Sequence, residues 1–214
     1  MLLQTMNLHE VYHELITDYQ TVNRKGAIQA PLLWRQMKRN HKKQEVCSIT
    51  YKTMRRNEWN IVFRLTGEYI KTLYYLRSRD HKGPVAYNIY FQNTDAERQL
   101  YVVKYTTHFF ERYNERMALG FIDTSKIIRH FFKNNFEFEQ GQSNELYDGA
   151  RLTNFVFEDG IATGWKDEEK KMICLKTFIA NNTLTKNQQM LVDSIKNNRS
   201  YSLSINAAHL QSKF

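Results

Sequence analysis

The sequence predicts an α+β protein: an N-terminal helical region followed by an antiparallel sheet packed on two central helices, with a C-terminal helix. Two observations predict this class. Apolar residues recur at spacings of three and four near both ends and in one central stretch, and alternate at period two in the runs between. Strand-like runs and helix-like runs are also kept apart instead of alternating, which is the order of α+β chains. With 214 residues, 42% of them hydrophobic, the chain can bury one sizeable core and is too apolar for disorder.

The elements follow in order. Leu8, Val11, Tyr12, Leu15, Tyr19 and Val22 make one apolar stripe, so residues 7–22 read as an amphipathic helix. Gly26 is expected to interrupt it, and Pro31 to open a second helix through about Lys43. From Trp59 to Leu65 large apolar residues alternate, the pattern of a half-buried strand. Residues 68–78 fit either a helix, through Tyr69, Leu73 and Leu76, or a strand, through their Tyr and Thr content. Two more alternating runs cover 86–92 and 100–105. Two helices are expected at 107–118, capped by Thr107, and at 124–135, capped by Asp123 or Thr124. A three-stranded meander follows over 152–157, 161–165 and 172–179, with Asp159-Gly160 as a positive-φ hairpin turn. Thr185 and Gln188 form a capping box for a last helix. The expected organisation is a basic helical region at 1–56, an α+β domain at 57–198, and a tail at 199–214.

Composition excludes several classes. Two cysteines, Cys47 and Cys174, cannot make a disulfide scaffold or a four-cysteine zinc site. Eight glycines include no phosphate-cradling loop, which argues against a P-loop NTPase or a dinucleotide fold, and no cofactor is expected. No apolar run approaches the roughly 18 residues of a membrane span, and the first ten residues carry no signal-peptide pattern. A cytoplasmic protein without membrane contact is the expectation.

The net charge is +9 and is unevenly placed. Residues 1–56 hold ten Lys/Arg against four Asp/Glu, a net of +6. Arg35, Lys38, Arg39, Lys42, Lys43, Lys52, Arg55 and Arg56 concentrate the excess as a candidate nucleic-acid-binding stripe, because a polyanion releases counterions on contact with such a surface. A solvated helix face is the plainer account. Tyr69, Tyr74, Tyr75, Tyr87, Tyr90, Tyr101 and Tyr105 offer either stacking platforms for unpaired bases or ordinary cross-strand packing.

Two constellations carry chemistry. His9-Glu10-Val11-Tyr12-His13 matches the pattern in which histidines one helical turn apart ligate zinc and the glutamate activates water. Here both histidines fall on the flank of the apolar stripe and no third ligand is assigned, so incidental surface histidines compete with a zinc hydrolase. His108, Arg112 and Arg116 form a polar row at i, i+4 and i+8, beside apolar Phe109, Phe110, Tyr113 and Met117. A histidine in the first turn, near the positive helix end, suits a phosphate. Two arginines suit the charge that grows on a phosphorane, and together these are the parts of metal-free RNA cleavage. His130 is a second acid–base candidate if its helix packs beside the first, or else a surface histidine.

A helix bearing His-x-x-x-Arg-x-x-x-Arg, a second helix and an antiparallel meander resembles the RelE/BrnT-like toxin-type ribonucleases of the barnase–EndoU–RelE superfamily, over about residues 105–180. The resemblance implies a metal-independent endoribonuclease with His108, Arg112 and Arg116 in the active site. It further implies that Thr177, beside Lys176 on the last meander strand, contacts substrate, and that an acidic antitoxin-like protein is a partner. The competing reading is a non-catalytic nucleic-acid-binding or structural protein using the same basic surface.

Overall fold

The structure, a computed structural model, describes residues 1–39, 46–66, 69–93, 98–147 and 150–196, with the side chains at 37, 38, 93, 98, 142–145 and 147 outside the description. Helix α1 spans Leu8–Arg39. Strands β1 (Val46–Lys52), β2 (Glu58–Thr66), β3 (Tyr69–Asp80), β4 (Gly83–Asn93) and β5 (Arg98–Tyr105) follow as a meander. Helices α2 (Thr107–Arg116) and α3 (Thr124–Asn134) lead to a second meander of β6 (Phe138–Tyr147), β7 (Ala150–Phe157), β8 (Gly160–Asp167) and β9 (Met172–Ala180). Helix α4 occupies residues 186–196. All nine strands form one sheet in the order β1-β2-β3-β4-β5-β9-β8-β7-β6. The sheet is mixed and not antiparallel throughout, because β5 and β9 pair in parallel from Val102↔Met172 to Tyr105↔Leu175.

One helix stands where two were expected. The buried stripe of α1 runs on past Val22 through Gly26 to the partly buried Ala30 and Leu33, so the spacing of three and four never breaks. Gly26 is a contact and not an interruption: a Cβ there would lie 2.5 Å from the Tyr74 hydroxyl of β3. Pro31 is inside the helix on its exposed side, as is Ala27, where water can take the carbonyl that loses its helical partner. Two buried carboxylates fix the helix to the β1–β2 turn. Asp18 accepts from Thr53 Oγ1 (2.9 Å), Asn57 Nδ2 (2.6 Å) and Trp59 Nε1 (3.2 Å), and Glu14 accepts from Arg55 (2.7 Å) and Asn57 Nδ2 (3.0 Å).

The expected boundary after residue 56 separates β1 from β2, which the structure pairs over seven rungs from Val46↔Arg64 to Lys52↔Glu58. The tail at 199–214 lies outside the described residues. The two strands beyond those expected, β1 and β6, are the two edges of the sheet. Strand β6 contains Glu139-Gln140-Gly141-Gln142 and lacks apolar alternation, whereas β1 alternates at period two, with Cys47, Ile49 and Tyr51 half-buried and Ser48, Thr50 and Lys52 exposed. Residues 69–80 resolve as strand. β2 is buried along its first half instead of alternating, because both its faces are covered: Trp59, Ile61 and Phe63 meet α1, while Val62 joins the core with α2 and α3.

The second core holds Phe109, Phe110 and Tyr113 of α2, Ile127, Ile128, Phe131 and Phe132 of α3, and strand residues such as Tyr105, Phe155 and Phe178. The sheet curls around this cluster. Tyr90 of β4 and Phe138 of β6 are five strand steps apart, which in a flat sheet is about 24 Å, yet their ring centroids are 5.4 Å apart. Arg64 of β2 reaches Glu158 in the β7–β8 turn (2.5 Å) and the carbonyls of Lys133 and Asn134, which closes the curl with polar contacts.

The Asp159-Gly160 hairpin forms, but neither residue has positive φ. Gly160 is the first residue of β8, and a Cβ there would lie 2.1 Å from the Ile179 carbonyl oxygen. Glycine is therefore required by close strand approach and not by the turn. The Thr185–Gln188 capping box forms as the sequence predicts, with Thr185 N donating to Gln188 Oε1 at 2.9 Å. Gly160→Ala should cost about 1–3 kcal/mol through forced backbone displacement. Thermal unfolding should show it as a Tm lower by roughly 3–10 °C.

Candidate functional site

The one parallel junction in the sheet ends where α2 begins. Thr106, one residue earlier than expected, is the cap: its Oγ1 accepts from Phe109 N (3.2 Å) and donates to the Leu175 carbonyl of β9 (3.1 Å). Thr107 instead donates its hydroxyl to the Pro84 carbonyl (2.9 Å), which pins the β3–β4 turn against the helix start. A cleft of about 340 Å³ opens at this corner. The turn supplies Asp80, His81 and Lys82, β5 supplies Lys104, α2 supplies His108 and Glu111, and β9 supplies Cys174 and Lys176. The crevice lies at the carboxyl end of β5, beside the middle of β9.

Charge in the cleft is net positive. Lys104 and Asp80, 13% and 14% exposed, form an ion pair of 2.6 Å at its base. Burial pushes the Asp80 carboxyl up, but hydrogen bonds from Lys104 and the Lys82 amide, with the Lys104 charge, outweigh burial and hold it below the usual range. Lys176 owes its place to a bulge. The β8–β9 register steps from Thr163↔Thr177 to Gly164↔Leu175, leaving Lys176 as the extra residue, with its ammonium 3.6 Å from the Trp165 ring centroid. His108 is half exposed, with Nδ1 3.5 Å from Glu111 Oε2. His81 and Lys82 are exposed. Cys174 is a poor nucleophile, since burial pushes its thiol up.

Only part of the expected row reaches this cleft. Arg112 and Arg116 follow His108 along α2 but lie outside its lining, and Arg112 is bound to Glu115 at 2.7 Å. Thr177 faces its cross-strand neighbour Thr163 and also lies outside, whereas Lys176 lines the cleft. His81, Lys82, Lys104 and Asp80 escape sequence reasoning because strand register alone brings them to His108. The short Asp80-His81-Lys82-Gly83 stretch reads only as a turn.

The described N-terminal basic residues fall into two separate sets. Arg55 and Arg56 are exposed on the β1–β2 turn beside Glu14, while Arg35 and Arg39 are exposed at the far end of α1. The 21 residue steps along the helix from Glu14 to Arg35 separate these sets by roughly 30 Å. The Lys38 side chain, Lys42 and Lys43 lie outside the described residues.

In the His-Glu-x-x-His match, Glu10 serves a helix cap. Asn7 Oδ1 accepts from the His9 and Glu10 amides, and Glu10 Oε2 accepts from Asn7 N at 2.8 Å. His9 and His13 are exposed with their Nε2 atoms 3.1 Å apart. Among the described residues no three His, Cys, Asp or Glu side chains are placed to hold a metal ion. His130 belongs to a packing network: its Nδ1 is 3.0 Å from the Tyr113 hydroxyl, which donates to Asp159 (2.8 Å), while Asn135 Nδ2 also donates to Asp159 (2.8 Å). Burial lowers the His130 pKa, the Asp159 charge opposing and Lys133 adding to that effect.

The chain matches no protein-family model, no curated protein and no solved structure. Among the described residues no helix is long and apolar enough to cross a membrane.

Because its folded pKa is depressed, Asp80 contributes stability that is complete above about pH 4, the ordinary carboxyl value, and is lost as pH falls through the depressed value. Asp80→Asn should cost about 1–3 kcal/mol at pH 7 by leaving Lys104 poorly paired. It should also flatten the acid limb of a stability–pH curve measured by urea unfolding. An unchanged acid limb would remove Asp80 from the acid response.

Proposed function

We propose that the protein binds single-stranded RNA and cleaves it without a metal at the cleft between α2, the β3–β4 turn and β9. The observation that carries this reading is the meeting of two histidines and three lysines, His81, His108, Lys82, Lys104 and Lys176, around one cleft at a helix start. Metal-free cleavage needs an acid, a base and positive charge for the phosphorane. One histidine takes the 2′-hydroxyl proton as the 2′-oxygen attacks phosphorus. The other, protonated, gives its proton to the departing 5′-oxygen as the P–O5′ bond breaks, leaving a 2′,3′-cyclic phosphate. Lys104 and Lys176 stabilise the charge on the non-bridging oxygens.

This reading keeps His108 and Lys176 from the toxin-type resemblance and moves the phosphate contacts from Arg112 and Arg116 to lysines. An acidic protein partner would find the same lysines. A binding-only role is favoured by one observation: no described group other than Glu111, at 3.5 Å, holds His108 in place.

Labelled single-stranded RNA in excess EDTA separates the two. Wild type should leave cyclic-phosphate ends. His108→Ala and His81→Ala, both at exposed positions, should each slow cleavage by roughly 100-fold or more. Lys104→Met should weaken binding and lower the salt slope by about one. RNA shifted on a native gel but uncut by wild type overturns the enzyme and leaves the binding protein.

A further inference from the structure

At the end of the curl away from α2 and α3, the inner face of the sheet turns from rings to polar groups. On β7 the inward row continues from Phe157 and Phe155 to Thr153 and Arg151, and on β8 it continues from Ala162 through Gly164 to Lys166. The mouth is narrow. Lys166 Nζ of β8 donates to Gln92 Oε1 of β4 at 2.6 Å, although these strands are three steps apart, about 14 Å in a flat sheet. A cavity of about 110 Å³ lies beside this contact, lined by polar side chains and Leu152. At about 30 Å³ for a water, it has room for one small group of a few heavy atoms.

The charges around this cavity do not balance. Arg151 and Lys166 are directly opposed partners on β7 and β8, so two cations share one face, an arrangement that costs stability. Lys166, 5% exposed, is answered by Glu168. One oxygen of that carboxylate lies 2.7 Å from the ammonium, and the other accepts from the Tyr101 hydroxyl. Burial pushes the Glu168 carboxyl up, but hydrogen bonds from Lys166 and Tyr101, with the Lys166 and Lys171 charges, outweigh burial and keep it ionised. Arg151 borders the cavity half-buried, and no described carboxylate pairs with it. Lys171 adds a third positive charge, its ammonium 3.1 Å from Gln99 Oε1 and 5.3 Å from the Tyr101 ring centroid. Three described cations thus face one carboxylate, and two positive charges stay uncompensated.

An oxyanion between Arg151 and Lys166 corrects both the opposed cations and the excess charge. The guanidinium offers paired donors in a plane, and the ammonium offers a compact charge. Charge count selects among oxyanions: a phosphate monoester carries nearly two negative charges at neutral pH, whereas a carboxylate or an internal phosphodiester carries one.

We propose that the mouth of the curled sheet binds a dianionic phosphate group between Arg151 and Lys166, with Lys171 adding charge. The group is either free phosphate or the phosphorylated end of a nucleic-acid strand. The site uses different residues from the lysine cleft and stands whether or not that cleft cuts RNA.

Inorganic phosphate tests it, against chloride and acetate at matched ionic strength. In an NMR titration phosphate should shift the Arg151 Nε–H and Tyr101 ring resonances, and acetate should do so only at much higher concentration. Arg151→Met, at a half-buried position, should weaken phosphate binding read at Tyr101 by roughly tenfold or more. Glu168→Gln removes the one negative charge at the mouth and should tighten binding, a change that loss of folding cannot produce. Lys104→Met should leave the Arg151 shift in place, which separates the mouth from the lysine cleft. If an RNA oligonucleotide with a terminal phosphate competes better than one with hydroxyl ends, the site takes a strand end. Equal competition, with phosphate still bound, assigns it to the free ion. No shift at Arg151, equal binding of acetate and phosphate, or unchanged affinity in Arg151→Met overturns the inference.

Discussion

The four-rung parallel pairing of β5 with β9 is the contact on which the rest of the molecule depends. Each meander is built from neighbours in sequence and needs only local pairing. Joining them brings Val102 beside Met172, some seventy residues away, and this long closure is compensated by burial on both faces. Met172 and Val102 face the α1 side, while Ile173, Leu175 and Tyr105 face α2 and α3. A parallel pair cannot be closed by a hairpin. The chain between must cross over, and α2, α3 and three strands make that crossing.

Several properties follow from this seam. The crossing begins at Thr106, which caps α2 and bonds to β9 with one hydroxyl, so the helix start and the strand pairing are held by the same atom. The cleft beside it is therefore built on fixed backbone, not on a free loop. Lys176 then enters the cleft through a bulge in β9, a device that turns one side chain out of a strand without moving the strand.

The curl of the sheet has a different cause. Ring contacts among Tyr105, Phe109, Phe131 and Phe178 fill the inner side, and the sheet bends until β6 and β4 meet at Phe138 and Tyr90. The same bending accompanies the parting of β3 from β4 beyond the Tyr75↔Asn88 rung. On the outer face α1 is held by Glu14 and Asp18, whose carboxylates gather four donors from the β1–β2 turn and β2. A buried carboxylate so fully bonded fixes where the helix lies, which apolar packing alone leaves loose.

Local rules were enough for what depends on local spacing. The α+β class, the stripe from Val11 to Val22, helices α2 and α3, the strands of 86–92, 100–105 and 172–179, and the Thr185 capping box all rest on period, caps and turns that act within a few residues. His108 and Lys176 could likewise be singled out, as residue types next to a helix start and on a strand. Only the tertiary structure decided what depends on distant partners. Gly26 and Gly160 look like punctuation until Tyr74 and the Ile179 carbonyl are seen to occupy the space of a side chain. Edge strand β6 has too little apolar alternation to announce itself, whereas β1 does alternate, with Cys47, Ile49 and Tyr51 inward and Ser48, Thr50 and Lys52 outward, and was legible in the sequence. The grouping of His81, Lys82 and Lys104 with His108, the exclusion of Arg112 and Arg116, and the division of the N-terminal charges are consequences of register, which no window of neighbouring residues contains. A side chain's chemistry is local, but its partners are set by which strands pair and in what order.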